Sequence, residues 1–206
     1  KTLVDAYWAD TLKESPIFAS SLGVDTYARE VGDFSLAASD RRAATAAAFL
    51  AKLNAIPQDQ LDAASKVEAG ILARSLNSTI EGNRFGQRAI NFTTYSSWHQ
   101  SFAGMANNLP FRTKADYESY NARLAQYAAV NDQNIDVANV AIRGKYTQPC
   151  ETLQGFEATV TGLIVADPKK ARHFGPYTRA KPESLTTAEF DTLAAEAAKT
   201  IETVVY

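Results

Sequence analysis

The residues best suited to chemistry lie in one segment, Asn83 to Asn108, which is rich in aromatic, amide and hydroxyl side chains. The segment NRFGQRAINFTTYSSWHQSFAGMANN has no sustained period, which is typical of a loop that carries function. Its candidate substrate-binding residues are Tyr95, Trp98, His99 and Gln100. Aromatic faces supply contact area in such a site, while an imidazole and an amide fix the ligand's orientation. The alternative is a tucked loop whose aromatic rings fill the core.

Arg112 lies just after this segment and is a fifth candidate, because a guanidinium can hold a substrate carboxylate through paired hydrogen bonds. The competing interpretation is structural. Arg143, at the other end of the next predicted helix, is explained by the helix dipole alone.

The sequence offers no metal site and no catalytic residue. His99 and His173 are its two histidines, and neither belongs to an HExxH, HxH or CxxC pattern. A Ser-His-Asp arrangement around His99 lacks the GxSxG turn that would support it. The single cysteine, Cys150, cannot form an internal disulfide, so the fold does not depend on oxidation.

These candidates must be positioned by helices, because no strand pattern appears and several segments have helical periodicity. The spacing predicts one long central helix over about 114–143, with Thr113 as N-cap and Gly144 as a left-handed stop. Its apolar stripe consists of Tyr117, Tyr120, Leu124, Tyr127, Ile135, Ala138 and Ile142. Asn131 interrupts that stripe, and valines on its flank predict a helix packed on more than one side. We therefore expect an all-α, multi-helix bundle around this helix.

The second half of the chain predicts two further helices. One runs from about Cys150 to Val165, and the last begins at a capping box formed by Thr186 and Glu189. Ile201–Tyr206 is apolar and carries no stop signal, so we expect a further segment or a second chain to cover it. Residues 1–206 are thus predicted to be a single helical domain or the N-terminal half of a larger one.

Composition excludes some partners. The 206 residues are 46% hydrophobic, with a net charge of −2 and scattered basic residues, which argues against nucleic acid as a partner. No apolar run approaches the roughly 20 residues of a membrane-spanning helix. The first residues, KTLVDAYWAD, lack the basic start and the uninterrupted apolar core of a signal peptide, and a leader cleaved before them stays open.

Three blocks carry a resemblance to a known family: AYWADTLKESPIFASSLGVDTY, LPFRTKADYESYNARL and IRGKYTQP. In this order they resemble the N-terminal part of a bacterial family, domain of unknown function 885. The resemblance implies an all-helical, metallopeptidase-like protein with an HExxH-like zinc motif in its second half, in many members exported or lipid-anchored. No zinc ligand or catalytic residue transfers to this chain, so zinc is expected only in a missing C-terminal part.

Two functions follow from these observations. The first is the N-terminal portion of a zinc-dependent, peptidase-like hydrolase in which this chain forms one wall of the cleft for a peptide-like substrate. The C-terminal remainder, or a second chain, would then be its partner, and the location would be periplasmic or exported. The alternative is a non-catalytic helical module that binds a peptide or small ligand around Trp98. A purely structural helical scaffold is the third interpretation.

Overall fold

The computed structural model describes residues 2–93 and 95–206, and the predicted all-α class is confirmed. Within the described residues the α-helices are α1 Thr2–Glu14, α2 Pro16–Ser21, α3 Leu36–Asn54, α4 Ala63–Arg84, α5 Trp98–Gly104, α6 Lys114–Leu124, α7 Tyr127–Arg143, α8 Phe156–Thr161 and α9 Thr187–Thr200. Short 3₁₀ turns connect them, and a π-helical turn, Ile201–Val205, follows α9. A single isolated β-bridge joins Phe92 to Ser97 in this part of the chain.

The helices enclose two apolar cores. The smaller core lies between α1, α3 and α4, where the alanine-rich face of α3 lets α4 approach closely. The Ser39 hydroxyl near the start of α3 donates to Asn83 Oδ1 near the end of α4, at 2.9 Å, so these two helices run antiparallel. The larger core is formed by α5, α6, α7 and α9 together with the 3₁₀ segment Arg172–Thr178.

The predicted central helix is in fact two helices, because the helix is interrupted at Ala125–Gln126. The Gln126 amide N–H bonds to the Arg123 carbonyl three residues back, which tightens the turn. The Gln126 side-chain amide also donates to the carbonyls of Ala122, at 2.9 Å, and Arg29, at 2.7 Å. The helix therefore breaks where the segment after α2 packs against it.

The buried row of α7 differs from the predicted stripe. Tyr117, Tyr120 and Leu124 on α6 are buried as predicted. On α7 the buried row is Val130, Asn134, Val137 and Ala141. Ile135 and Ile142 from the predicted stripe stay exposed, at 42% and 62%.

Two predicted helix ends also differ from the structure. Gly144 does end α7, but it has φ −78°, and the left-handed residue is Lys145 with φ 57°. The predicted helix over 150–165 is reduced to α8, since Gly155, at φ 80°, separates α8 from the 3₁₀ turn Cys150–Leu153. The positive φ of Gly155 cannot be continued as a right-handed helix.

The apolar end of the chain is partly covered by the chain itself. Ile201 is fully buried in the larger core. The Val165 backbone N–H donates to the Tyr206 hydroxyl at 3.2 Å, which ties the π-helical turn to the segment after α8. Tyr206 keeps 38% of its surface exposed.

A buried guanidinium connects α6 to the N-terminal segment. Arg123 is 2% exposed, and it donates to the carbonyls of Glu30 at 2.8 Å and Pro16 at 3.1 Å. It also donates to the Ser20 hydroxyl at 2.8 Å and to the Tyr27 carbonyl at 3.3 Å. Burial lowers the pKa of Arg123 to about 10, so it remains charged at neutral pH.

His173 is buried without such partners. It is 1% exposed, with its ring beside Phe102 and Tyr127 at centroid distances of 6.2 and 6.5 Å. Neither ring nitrogen has a hydrogen-bond partner among the described residues. Burial, helped by the nearby charge of Arg172, lowers the pKa of His173 to about 4, so the ring is neutral at pH 7.

Replacing Arg123 by lysine should destabilise the fold although the charge is kept. An ammonium cannot satisfy four acceptors spread along the N-terminal segment, and buried acceptors left unpaired are costly. We expect Arg123→Lys to lower the free energy of unfolding by about 2–4 kcal/mol in urea titrations. Arg143→Lys, at an exposed position, should change it by less than about 0.5 kcal/mol. Equal effects of the two variants would contradict this role for Arg123.

Acid should destabilise the fold through His173. Its pKa in the folded state, about 4, lies below the ordinary 6.5, so the unfolded chain binds more protons between these values. The free energy of unfolding should therefore fall as the pH drops from 6.5 towards 4, by up to about 3 kcal/mol. Urea titrations between pH 7 and 4.5 should show a flatter profile for His173→Phe, and superimposable profiles would refute the assignment.

Candidate functional site

The segment that leads into α5 is folded back on itself by a tight turn. The Phe92–Ser97 bridge closes the turn, and the Thr93 backbone N–H donates to the Ser96 carbonyl at 2.7 Å. The Thr93 hydroxyl accepts from the backbone N–H groups of Tyr95 and Ser96, at 3.2 and 3.0 Å. These bonds bring Phe92 beside the first turn of α5.

Four rings contact one another at this point. Phe92 packs edge-on against Trp98, with centroids 5.7 Å apart, and at 4.8 Å against Phe156 of α8. The imidazole of His99 completes the cluster, at 5.5 Å from both Trp98 and Phe156. The Trp98 indole N–H donates to Asn131 Oδ1 at 3.0 Å, which explains why the α7 stripe is interrupted by an amide.

Trp98 forms one side of a groove of about 300 Å³ between α5, α7 and the segment after α2. The groove is lined mainly by apolar side chains, with serine hydroxyls and two amides among them. This groove is named here the Trp98 groove. Its lining residues are Ile17, Val31, Phe34, Asn91, Ser96, Ser97, Trp98, Ser101, Phe102, Val130 and Asn134. The Phe34 backbone N–H donates to Gln133 Oε1 at 2.9 Å, which holds Phe34 beside α7.

The groove continues into a second cavity of about 330 Å³ that shares Ile17, Val31 and Phe34 with it. The far end of this cavity is charged. Arg42 donates to the Asp33 carbonyl at 2.9 Å and pairs with Glu14 at 3.3 Å. The combined lining of the two cavities is apolar at Trp98 and ionic at Arg42.

His99 lies beneath the groove and connects α5 to α8. The Ser97 hydroxyl donates to Gln100 Oε1 at 3.0 Å, and the Thr159 hydroxyl donates to the Phe156 carbonyl at 2.7 Å. With both hydroxyl hydrogens used, His99 Nε2 is the donor to the two hydroxyl oxygens, each 3.0 Å away. A protonated Nε2 cannot take a proton from Ser97, so this pair is not arranged as nucleophile and base. Burial also lowers the pKa of His99, which favours the neutral ring.

The structure places the five predicted site residues in different settings. Trp98 lines the groove, while His99, 3% exposed, and the half-buried Gln100 support it from below. Tyr95 is 95% exposed at the tip of the turn. Arg112 is not brought to this site, because it lies just before α6. Its backbone N–H donates to Asp116 Oδ2, and its carbonyl accepts from the Ser184 hydroxyl.

Sequence reasoning missed the groove residues that come from other elements. Ile17, Val31 and Phe34 precede Trp98 by more than sixty positions, and no spacing connects them to it. Asn134 did leave a signal, because it is an amide on the apolar row of Val130 and Val137 at helical spacing.

The described residues do not fit a zinc ion. None of them forms a group of three His, Cys, Asp or Glu side chains that could hold a metal. His99 and His173 are both buried in separate aromatic surroundings. Among the described residues, no helix has both the length and the apolar character that a bilayer crossing requires.

Comparison with known families identifies the chain. The model of the family described as bacterial protein of unknown function, DUF885, matches residues 16–206. The chain belongs to the DUF885 family. This membership confirms the resemblance carried by the three sequence blocks.

Solved structures similar to this DUF885 chain include a candidate lipoprotein from Colwellia psychrerythraea, with a TM-score of 0.82 and 16% sequence identity. The match covers 95% of this chain and 37% of that one, so the chain spans little more than a third of the neighbour's length. At this identity the likeness establishes the shared fold. Among curated proteins, none matches the chain.

The hydrogen-bond directions around His99 predict an unreactive Ser97. A fluorophosphonate probe, which labels activated serines, should leave Ser97 unmodified in peptide mass spectra. Ser97→Ala should lower the free energy of unfolding by about 1 kcal/mol, since it removes a buried hydroxyl that bonds to His99 and Gln100. A labelled peptide containing Ser97 would show that the hydroxyl is activated after all.

Proposed function

We propose that this chain is the N-terminal portion of a zinc-dependent, peptidase-like hydrolase and that the Trp98 groove forms one wall of its substrate cleft. The observation that carries the proposal is a pair of cavities that share Ile17, Val31 and Phe34, one apolar at Trp98 and the other ionic at Arg42. Such a lining suits a peptide, which presents apolar and charged side chains at intervals.

In this function the chain binds and orients the substrate. The faces of Trp98 and Phe34 contact an apolar side chain, and the Ser96 and Ser101 hydroxyls bond to the peptide backbone. The cluster of His99, Phe92 and Phe156 holds the indole in place from behind. A fixed indole loses little side-chain entropy when the substrate binds, which favours affinity.

Zinc belongs to the proposal only through polypeptide outside this chain. The described residues supply no ligand group, so residues elsewhere in the longer protein would have to hold the ion. The neighbour's greater length supports the existence of such a second part. A periplasmic or exported location is also proposed, on the ground that the neighbour is described as a candidate lipoprotein.

A non-catalytic binding module is the second candidate. It is favoured by the same groove, which needs no metal to hold a peptide or a small apolar ligand. The two functions differ in one measurable respect: only the first predicts hydrolysis of the bound peptide.

Filling the groove should impair the enzyme without removing its core. Ser101 is an exposed residue of α5 that lines the groove, so Ser101→Trp places an indole where the substrate would lie. In the full-length protein, assayed with a fluorogenic peptide library, we expect kcat/KM to fall about 10- to 100-fold, mainly through KM. Zinc content, measured by mass spectrometry, should not change.

Ala195→Trp is the matched control, because Ala195 is an exposed position on α9 that does not line the groove. It should leave kcat/KM unchanged. If zinc-loaded wild-type protein binds peptides in the groove without hydrolysing them, the binding module replaces the hydrolase. If Ser101→Trp leaves both binding and hydrolysis intact, the groove is not the substrate site.

A further inference from the structure

We propose that a second, separate groove on α7 is the docking surface for an amphipathic helix from polypeptide of the same protein outside residues 1–206. This groove has a volume of about 180 Å³ and an almost wholly apolar lining. It is named here the α7 groove. Its apolar lining comes mainly from Ile90, Phe92, Ala138, Ile142, Tyr146 and Leu153. The inference rests on the proposed function in one respect, that the chain is part of a longer protein.

The α7 groove leaves large apolar side chains unusually exposed. Ile142 is 62% exposed, Ile90 50% and Tyr146 47%. Single exposed apolar residues are common on protein surfaces, but a concave cluster of them is typical of an interaction site.

The sequence of α7 points to the same face. Ile135, Ala138 and Ile142 follow one another at spacings of three and four, which is the pattern of a helix side packed against protein. The buried row of α7 is Val130, Val137 and Ala141, so Ile135 and Ile142 on this second row stay exposed, at 42% and 62%. A row of helical spacing beside an apolar groove fits another helix laid along α7.

The occupant follows from the length of the related structure. The match with the neighbour accounts for 37% of that protein, so more than half of it has no counterpart in residues 1–206. The shared fold is all-α, which makes a helix the expected form of an adjoining segment. Polypeptide of the same protein is also present at a high effective concentration, which favours its docking over that of a separate molecule.

The position of the α7 groove connects the two proposals. Phe92 lines the α7 groove and contacts Trp98 and Phe156 in the aromatic cluster. A helix seated there therefore lies directly behind the wall of the Trp98 groove. Docking would bring further polypeptide beside the substrate site and hold Phe92 against the indole.

Thiol labelling of the full-length protein tests this surface directly. In a background without other cysteines, including Cys150→Ser, the variants Ile142→Cys and Tyr146→Cys report on the groove. Glu68→Cys on α4 is the control, since Glu68 is an exposed charged residue outside the groove. We expect maleimide to label the two groove positions at least about tenfold more slowly than position 68.

Labelling at equal rates would overturn the proposal, because it would show the groove open to solvent. Protection that disappears on dilution would also overturn it, since a second copy of the protein and not its own polypeptide would then occupy the groove. The measurement uses neither substrate nor metal. Protected groove cysteines in a protein without hydrolytic activity would therefore refute the proposed hydrolase while supporting the docking surface.

Discussion

The structure depends on a buried charge. Arg123 lies on α6, and its guanidinium donates hydrogen bonds to the carbonyls of Pro16, Tyr27 and Glu30. A guanidinium has five N–H donors in a fixed plane, so it can hold an irregular segment in one conformation where apolar contacts alone would leave several. By fixing α2 and the chain between α2 and α3, it places Ile17, Val31 and Phe34 along one side of the Trp98 groove.

The segment that Arg123 holds also contacts the long helical segment at the point where that helix is interrupted. The Gln126 side chain bonds to Arg29 on the segment that Arg123 holds, and the helix is interrupted at that residue. On α7 one apolar row, Val130, Val137 and Ala141, enters the core, while a second row with Ile135 and Ile142 remains on the surface. Phe92 lines the α7 groove and contacts Trp98, which lines the other groove.

Hydrogen bonds account for the positions of Trp98, His99 and Arg112, three of the residues that the sequence proposed for a binding site. His99 donates to two hydroxyl groups and fixes α5 to α8, and Trp98 is anchored to Asn131. Of these two residues, only Trp98 lines the groove. Arg112 lies at the start of α6, because the chain direction from α5 to α6 carries it away from the aromatic cluster and towards Ser184. The sequence around a loop arginine does not indicate whether its side chain lies in a binding site or away from it.

The sequence by itself determined the helical class, the family, the capping boxes at Thr113 and Thr186, and the aromatic segment as the place to look for a site. These features are encoded locally, in periodicity and in residues three or four positions apart. Tertiary structure alone decided the break at Gln126 and the partners of Trp98 in the groove. Those features arise from contacts between residues distant along the chain, such as Arg123 with Pro16 and Gln126 with Arg29, which leave no periodic signal.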